Sequence, residues 1–441
     1  MKIQSLLILA LASLLISSRA QAQFTVDGQI IQRSEYRHGF GKLIAKDQDP
    51  AAFIAHRARL QALYEMEKFS FYMSIQDVRT WGSTPQVKAT DPYLSVHEAW
   101  VLGKLGTHWK IKLGRQELNY DNFRFLGNLD WALQGRSHDF ALMMYEKGNS
   151  KLHFGGAYNQ DGQALAGNAF TTSNQYKTAQ MIRYENRFGK AAMSFLFWND
   201  GRQFLTRDSL GQINSQKLYH RQTIGLPNLS YQRGNSSVSA YYYHQLGKDP
   251  VGRKVNAYNF SVNLKQVIPL DNERGKQVTV VLGTEHLSGT ANNQQESNSS
   301  FSPLYGTNHL FNGYMDLFYV GGAHETSVGV QDYYLKGRYA FSKKLFAQAD
   351  FHSFYSQSNV FSEPNANPAA MDPFFGTEID LSVGFVINDA FSLQGGYSQF
   401  FFTDTFAYLQ SNKQLSDVQN WAYVMLIFRP TMKNKFIGIL L

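Results

Sequence analysis

Gly376-Thr377-Glu378-Ile379-Asp380-Leu381-Ser382-Val383-Gly384-Phe385-Val386-Ile387-Asn388 is the stretch whose reading decides the fold. Ile379, Leu381, Val383, Phe385 and Ile387 share one parity, and Glu378, Asp380, Ser382 and Gly384 share the other. Successive side chains of a strand point to opposite faces, so this is a strand with one apolar and one wet face. Full charges and small residues on the wet face suit a water-filled interior, with the apolar face turned outward. Asn256–Lys265, Lys151–Asn159 and Leu345–Phe351 repeat the pattern.

Working outward, about eighteen such segments are predicted, near 24–37, 53–65, 68–79, 93–103, 107–118, 137–147, 150–160, 177–188, 190–199, 217–232, 235–247, 254–265, 276–287, 329–342, 343–356, 376–388, 390–402 and 419–429. Tight turns rich in Gly, Asn, Asp and Ser alternate with longer connections. The longer ones are 39–52, 80–92, 119–135, 160–176, 200–216, 288–328, 357–375 and 403–417, all expected outside, with the turns on the periplasmic side. Short turns on one side and long loops on the other are the signature of an up-and-down antiparallel transmembrane barrel. The fold expected is therefore all-β, one barrel over residues 23–441, in a Gram-negative-type outer membrane.

Composition agrees. The 441 residues show no linker, 15% are aromatic with 25 Tyr and 33 Phe, and no mature stretch of 18 apolar residues suggests a spanning helix. Lys2, the run Ile3–Ile16 and Ala20-Gln21-Ala22 read as a signal peptide over 1–22, cut after Ala22. There is no cysteine, hence no lipoprotein anchor, disulfide framework or thiolate chemistry. Without Lys2 and Arg19 the net charge falls from +8 to +6. An exported chain has no nucleic acid to meet, so the basic surplus is read as a lumen that attracts an anionic solute.

Arg57, Arg59 and Gln61 lie on one strand face opposite Ala58, Leu60, Ala62 and Tyr64, and so are expected in the lumen. Arg183, Glu185 and Arg187 form a similar column, as do Lys336 and Arg338. Such charges either pair across the wall or form a track for carboxylates, whose oxygens match the guanidinium fork. Residues 288–328 are too long for an ordinary connection. The Asn/Gln/Ser-rich part, 292–302, reads as flexible. His309-Leu310-Phe311 and Tyr314–Tyr319 are too apolar for solvent and are expected on the barrel mouth or in the lumen.

The chain also carries Lys112-Leu113-Gly114-Arg115-Gln116-Glu117-Leu118, Arg124-Phe125-Leu126-Gly127-Asn128, Asp130-Trp131 and Gln134-Gly135-Arg136-Ser137-His138-Asp139. With Gln76-Asp77-Val78-Arg79-Thr80-Trp81-Gly82 upstream and Gly306–Phe311 and Met315-Asp316 downstream, it resembles the alginate export family of outer-membrane barrels. That resemblance implies an eighteen-stranded barrel with an arginine-rich pore for an anionic polyuronate. It adds Arg79, Arg115, Arg124, Arg136 and Asp139 to the pore-lining set. Parity disagrees in part: Arg115 shares a face with Trp109, Ile111 and Leu113, and Asp77 and Arg79 with Phe69, Phe71, Met73 and Ile75. Some residues after Arg429 are expected outside the wall.

No H-E-x-x-H, G-x-S-x-G or P-loop spacing occurs, and Ser137-His138-Asp139 are sequence neighbours that a strand would point to opposite faces. No enzyme, metal or cofactor is expected. The functions left are a channel for an anionic polysaccharide or its fragments, a general or differently selective porin for small solutes, and a structural barrel with a filled lumen. Outer-membrane lipid is the other expected partner.

Overall fold

A computed structural model describes residues 23–294, 296–318, 326–362, 369–410 and 414–439; the expected signal peptide, Tyr319 and Leu440-Leu441 lie outside these. Eighteen long strands among the described residues form one closed antiparallel barrel. They are β1 Gln23–His38, β2 Ala51–Glu65, β3 Phe69–Thr80, β4 Leu94–Lys104, β5 Trp109–Gln116, β6 His138–Lys147, β7 Ser150–Tyr158, β8 Thr178–Phe188 and β9 Ala191–Arg207. There follow β10 Ile213–Arg233, β11 Ser236–Lys248, β12 Lys254–Asp271, β13 Lys276–Leu287, β14 Val330–Ala340, β15 Leu345–Tyr355, β16 Phe374–Val386, β17 Phe391–Phe402 and β18 Gln419–Phe428. Each pairs with its sequence neighbour, and β18 returns to β1, Ile30 facing Phe428 and His38 facing Asn420. Closure leaves no unpaired sheet edge.

Polarity is inside-out, as the alternation requires. On β16, Glu378, Asp380, Ser382 and Gly384 are buried toward the interior while Ile379, Leu381, Val383 and Phe385 are exposed outside. Exposed aromatics ring both ends of the outer face: Phe69, Trp109, Phe188, Phe341 and Phe391 by the turns, and Tyr36, Trp81, Tyr158 and Phe401 by the loops. Among the described residues no helix is long and apolar enough to cross a membrane.

Three places depart from the sequence reading. Residues 200–216 are mostly strand, because β9 and β10 continue their ladder to a turn at Asp208, whose carboxylate accepts from Leu210 N and Gln212 N at 2.9 Å each. Past the apolar band both faces of a hairpin are wet, so the alternation that marks a strand disappears. Second, residues 119–135, expected outside, fold into the barrel; the apolar part of 288–328, expected at the mouth or in the lumen, is buried inside with them. The strand-like pair Ser297–Asn298 lies parallel to Lys254 and Val255 and adds no wall strand. Third, residues 430–439 do leave the wall, but they turn up into the lumen, burying Ile437.

Candidate functional site

The interior is organised around two inward loops. Residues 120–134 cross the lumen and are moored to the wall along their length. The Arg183 guanidinium on β8 donates to both carboxylate oxygens of Asp121, at 3.0 and 2.7 Å. Arg124 donates to Glu285 of β13 at 2.5 Å. Arg57 of β2 donates to Asp130 at 2.6 Å and to Leu133 O at 3.1 Å. Arg33 of β1 donates to Trp131 O at 2.7 Å. The inward face of each strand supplies the guanidinium and the loop supplies the acid or carbonyl. Arg124–Glu285 is the one pair that runs the other way.

The second loop lies on the first. Gly127 N donates to Tyr305 O at 2.9 Å and Thr307 N to Phe123 O at 2.8 Å. Arg124 also donates to Asn308 and Asn312 at 3.0 and 2.9 Å. Gly306 has to be glycine, because a Cβ there would lie 2.2 Å from Arg124 O. On the far side Met315 N donates to Glu378 of β16 at 2.8 Å, and Phe318 packs on Phe354, Phe375, Phe400 and Phe406. Six of the seven described non-glycine residues with positive φ sit in these loops: Asp121, Phe123, Leu129, Leu304, Asn312 and Asp316. Strained backbone of this kind persists only where its surroundings over-determine it, and it clusters at functional sites.

Trp131 is where the parts meet. His309 stacks on it at 3.9 Å, the Arg33 guanidinium lies 4.3 Å above its ring, Trp421 and Tyr423 of β18 meet it edge-on, and Gly438 abuts it.

Two of the cavities among the described residues, of about 580 Å³ each, border the inward loops. The inner one is bordered by Arg183, Glu185, Glu285, Tyr334, Lys336 and the loop residues Leu310, Phe311 and Asn312. The outer one, on the loop side, is lined by Arg136, Arg202, Arg207, Tyr305 and the hydroxyl and amide side chains of 171–175, with no carboxylate in its lining. Residues 302–312 supply walls to both, so this segment is the partition between them.

The sequence-predicted residues divide into two groups. Arg57, Arg59, Arg183, Lys336 and Arg338 face inward on strands, and Arg124 and Arg136 are brought inside on the loop. Most are engaged: Arg59 with Gln76 at 2.7 Å, Lys336 with Asp350 at 3.6 Å, Arg338 with Gln348 at 2.5 Å, Arg136 with Gly306 O at 2.8 Å. Arg79, Arg115 and Asp139 are away from the lumen, contrary to the resemblance. Arg115 faces Asp139 across β5 and β6 on the outer surface, 3.2 Å apart with side chains 42% and 60% exposed. Arg79 pairs with Asp77 and Asp91 beyond the apolar band of β3. No bulge interrupts β5, so parity holds to its end. Sequence reasoning missed Arg202, Arg207, Asp130, Glu285 and Glu378; the turn at Asp208-Ser209-Leu210-Gly211 was the available signal for the first two.

His97, Glu98 and Glu117 bring ligand-type atoms within 4.8 Å of one another. His97 is the extra residue of a bulge opposite Ser74 and Ile75, which turns both His97 and Glu98 inward. Their atoms are already engaged: His97 with Glu117 at 2.8 Å, Glu98 with Trp100 and with Glu117 N, and Glu117 with Asn128. The group reads as an internal polar network. His138 is buried, stacked on Tyr176, and Asp139 points the opposite way, so no triad forms.

Burial pushes the Asp130 carboxyl up, but Arg57 and then Arg429 outweigh it and hold it down at about 2. The free value is near 3.9, so the folded state keeps its proton less readily than the unfolded chain. Its contribution, about 2 kcal/mol, is complete well above pH 4 and is lost as pH falls toward 2. Unfolding midpoints between near-neutral and acid pH should drop, and Asp130→Asn should drop less over the same range. An equal acid loss in both proteins would remove Asp130 from the account.

No family model matches the chain, and no curated protein does either. Solved structures do. Pseudomonas aeruginosa OccK9 (OpdG) superposes with a TM-score of 0.56 at 14% identity, covering 91% of this chain and 97% of that one. OccK11 (OpdR) of the same organism gives 0.54 at 13% identity, covering 91% and 95%. OpdK, solved with vanillate, gives 0.54 at 10% identity, covering 91% and 98%. At such identities the likeness is one of fold, and it extends over nearly the whole barrel.

Proposed function

We propose that this chain is an outer-membrane channel for small solutes, with a preference for anions. The observation that carries the reading is the outer cavity, where Arg136, Arg202 and Arg207 gather with hydroxyl and amide side chains; the acids nearby stand behind its wall, Asp200 paired with Arg202 and Asp161 accepting from Thr171 and Thr172. Guanidinium forks in a wet cleft attract and orient carboxylates. A cavity of about 580 Å³ is in the range that holds a small ligand. The structural neighbour OpdK was solved with vanillate, a small aromatic carboxylate, which supports the same class of cargo.

Of the two channels the sequence left open, the pore for small solutes has the better support. A polyuronate needs an open basic bore, whereas the inward arginines Arg57, Arg124 and Arg183 are spent on mooring the loops. The turns then face the periplasm and the long loops the outside.

Single-channel recording across a salt gradient tests this. The wild type should show a reversal potential on the anion side. Arg136→Gln with Arg207→Gln should move it toward zero, and should do so more at low salt than at high salt, where exposed charges are screened. A cation-preferring wild type would end the anion reading and leave the barrel intact.

A further inference from the structure

Residues 430–439 enter the lumen from the turn side and climb the inner face of β17. Ser392 Oγ donates to Lys435 O at 2.6 Å; Ile437 N donates to Gln394 Oε1 at 3.0 Å, and Gln394 Nε2 returns a bond to Ile437 O at 2.7 Å. Phe436 stands edge-on to Phe346 with ring centres 5.0 Å apart. The climb ends at Gly438, whose φ is +72° and whose Cβ, were there one, would lie 2.3 Å from Trp131 Cε3.

How the tail is held differs from how the loops are held. Each loop is joined to strands at both ends and moored by buried ion pairs or by Glu378. The tail leaves β18 and, among the described residues, meets no further strand. None of the ion pairs among the described residues includes any of 430–439. Lys435 Nζ donates only to carbonyls, Asp389 O at 2.6 Å and Arg429 O at 2.8 Å among them. Thr431 Oγ1 also donates to the Asp27 carboxylate, so the mouth-side hold is a set of charge-assisted single bonds on exposed groups, which water can replace, and only the Gln394–Ile437 pair is buried. Yet the tail ends on Trp131, the side chain on which His309 of the second loop is stacked.

We propose that residues 430–439 are a releasable latch that holds the two inward loops closed, acting through Gly438 against Trp131. This rests on the channel reading. Leaving its place would uncover the Trp131 ring, on which His309 is stacked, on the side where Gly438 now abuts it. The latch needs glycine at 438 twice over, for the left-handed backbone and for the close approach.

The test uses the full chain in planar bilayers beside three variants: truncation after Arg429, Gly438→Val, and Gln394→Cys with Ile437→Cys. The native chain has no cysteine, so the pair can bridge only to itself. Truncation and Gly438→Val should raise mean conductance severalfold. The oxidised cysteine pair should sit below the wild type and recover with reductant. Ile437→Cys alone should label slowly with an impermeant thiol reagent, and severalfold faster when Gly438→Val is added. Latch action is overturned if Gly438→Val labels no faster, or if the truncated and bridged forms conduct as the wild type does. Should no form conduct, the channel reading fails, and the labelling comparison still decides whether the tail is a releasable element.

Discussion

Arg124→Met should destabilise the folded barrel by about 3–5 kcal/mol, because it leaves one member of a buried ion pair without its partner. The guanidinium and the Glu285 carboxylate are 2.5 Å apart with side-chain exposures of 0% and 2%. Glu285 would keep Tyr241, Asn259 and Asn312 as neutral donors, which places the loss toward the lower end of that range. Asn308 and Asn312 would lose the group that ties the second loop to the first. Methionine keeps the length and the apolar stem but loses the guanidinium that lies 4.6 Å over the Phe311 ring. The readouts are the urea midpoint in detergent and protease access to 119–135. Adding Glu285→Gln should recover a large part of the loss, since the double change removes the stranded charge. A double variant as unstable as the single would mean that the pair is not the cause.

Trp131→Ala should cost a similar amount, about 3–5 kcal/mol, by the logic of large-to-small change at a packed site. Trp131 is 5% exposed and touches His309, Arg33, Trp421, Tyr423 and Gly438 together. The damage should therefore spread to elements distant in sequence. Proteolysis should rise in both inward loops and in the tail, while the strand spectrum of the wall stays unchanged. Conductance should become larger and noisier. Exposure confined to 119–135 would show that Trp131 packs its own loop and holds nothing else.

The wall was legible because every spanning strand faces two solvents, and Glu378 to Phe385 records both residue by residue. Parity also placed Arg79 and Arg115 on the outer surface, where resemblance had set them in the pore; the local rule won because the ladder through β5 has no bulge. What the residues could not disclose was pairing across the lumen. Arg57 has the right parity to face inward, but Asp130, its partner, arrives from a loop seventy-odd positions later, and nothing local in either segment announces the other. Residues 119–135 were set outside on loop length alone, and length does not reveal that their carboxylates are neutralised by wall arginines in the lumen. Arg202 and Arg207 escaped notice because a hairpin outside the apolar band loses the alternation by which strands are found.

The seam between β1 and β18 joins opposite ends of the described chain, Ile30 to Phe428, and it bears on how the molecule is put together. A contact of such long sequence separation carries a large closure entropy and forms late. Residues 119–135 and much of 288–328 lie inside the ring which that seam completes. A sheet that is still open offers them its inner face before the last two strands meet. Guanidinium groups along the inner face of the growing sheet can collect them as each strand is added, Arg57 awaiting Asp130 and Arg183 awaiting Asp121. The interior charges are thus placed where they are available to a growing sheet as well as to the finished one.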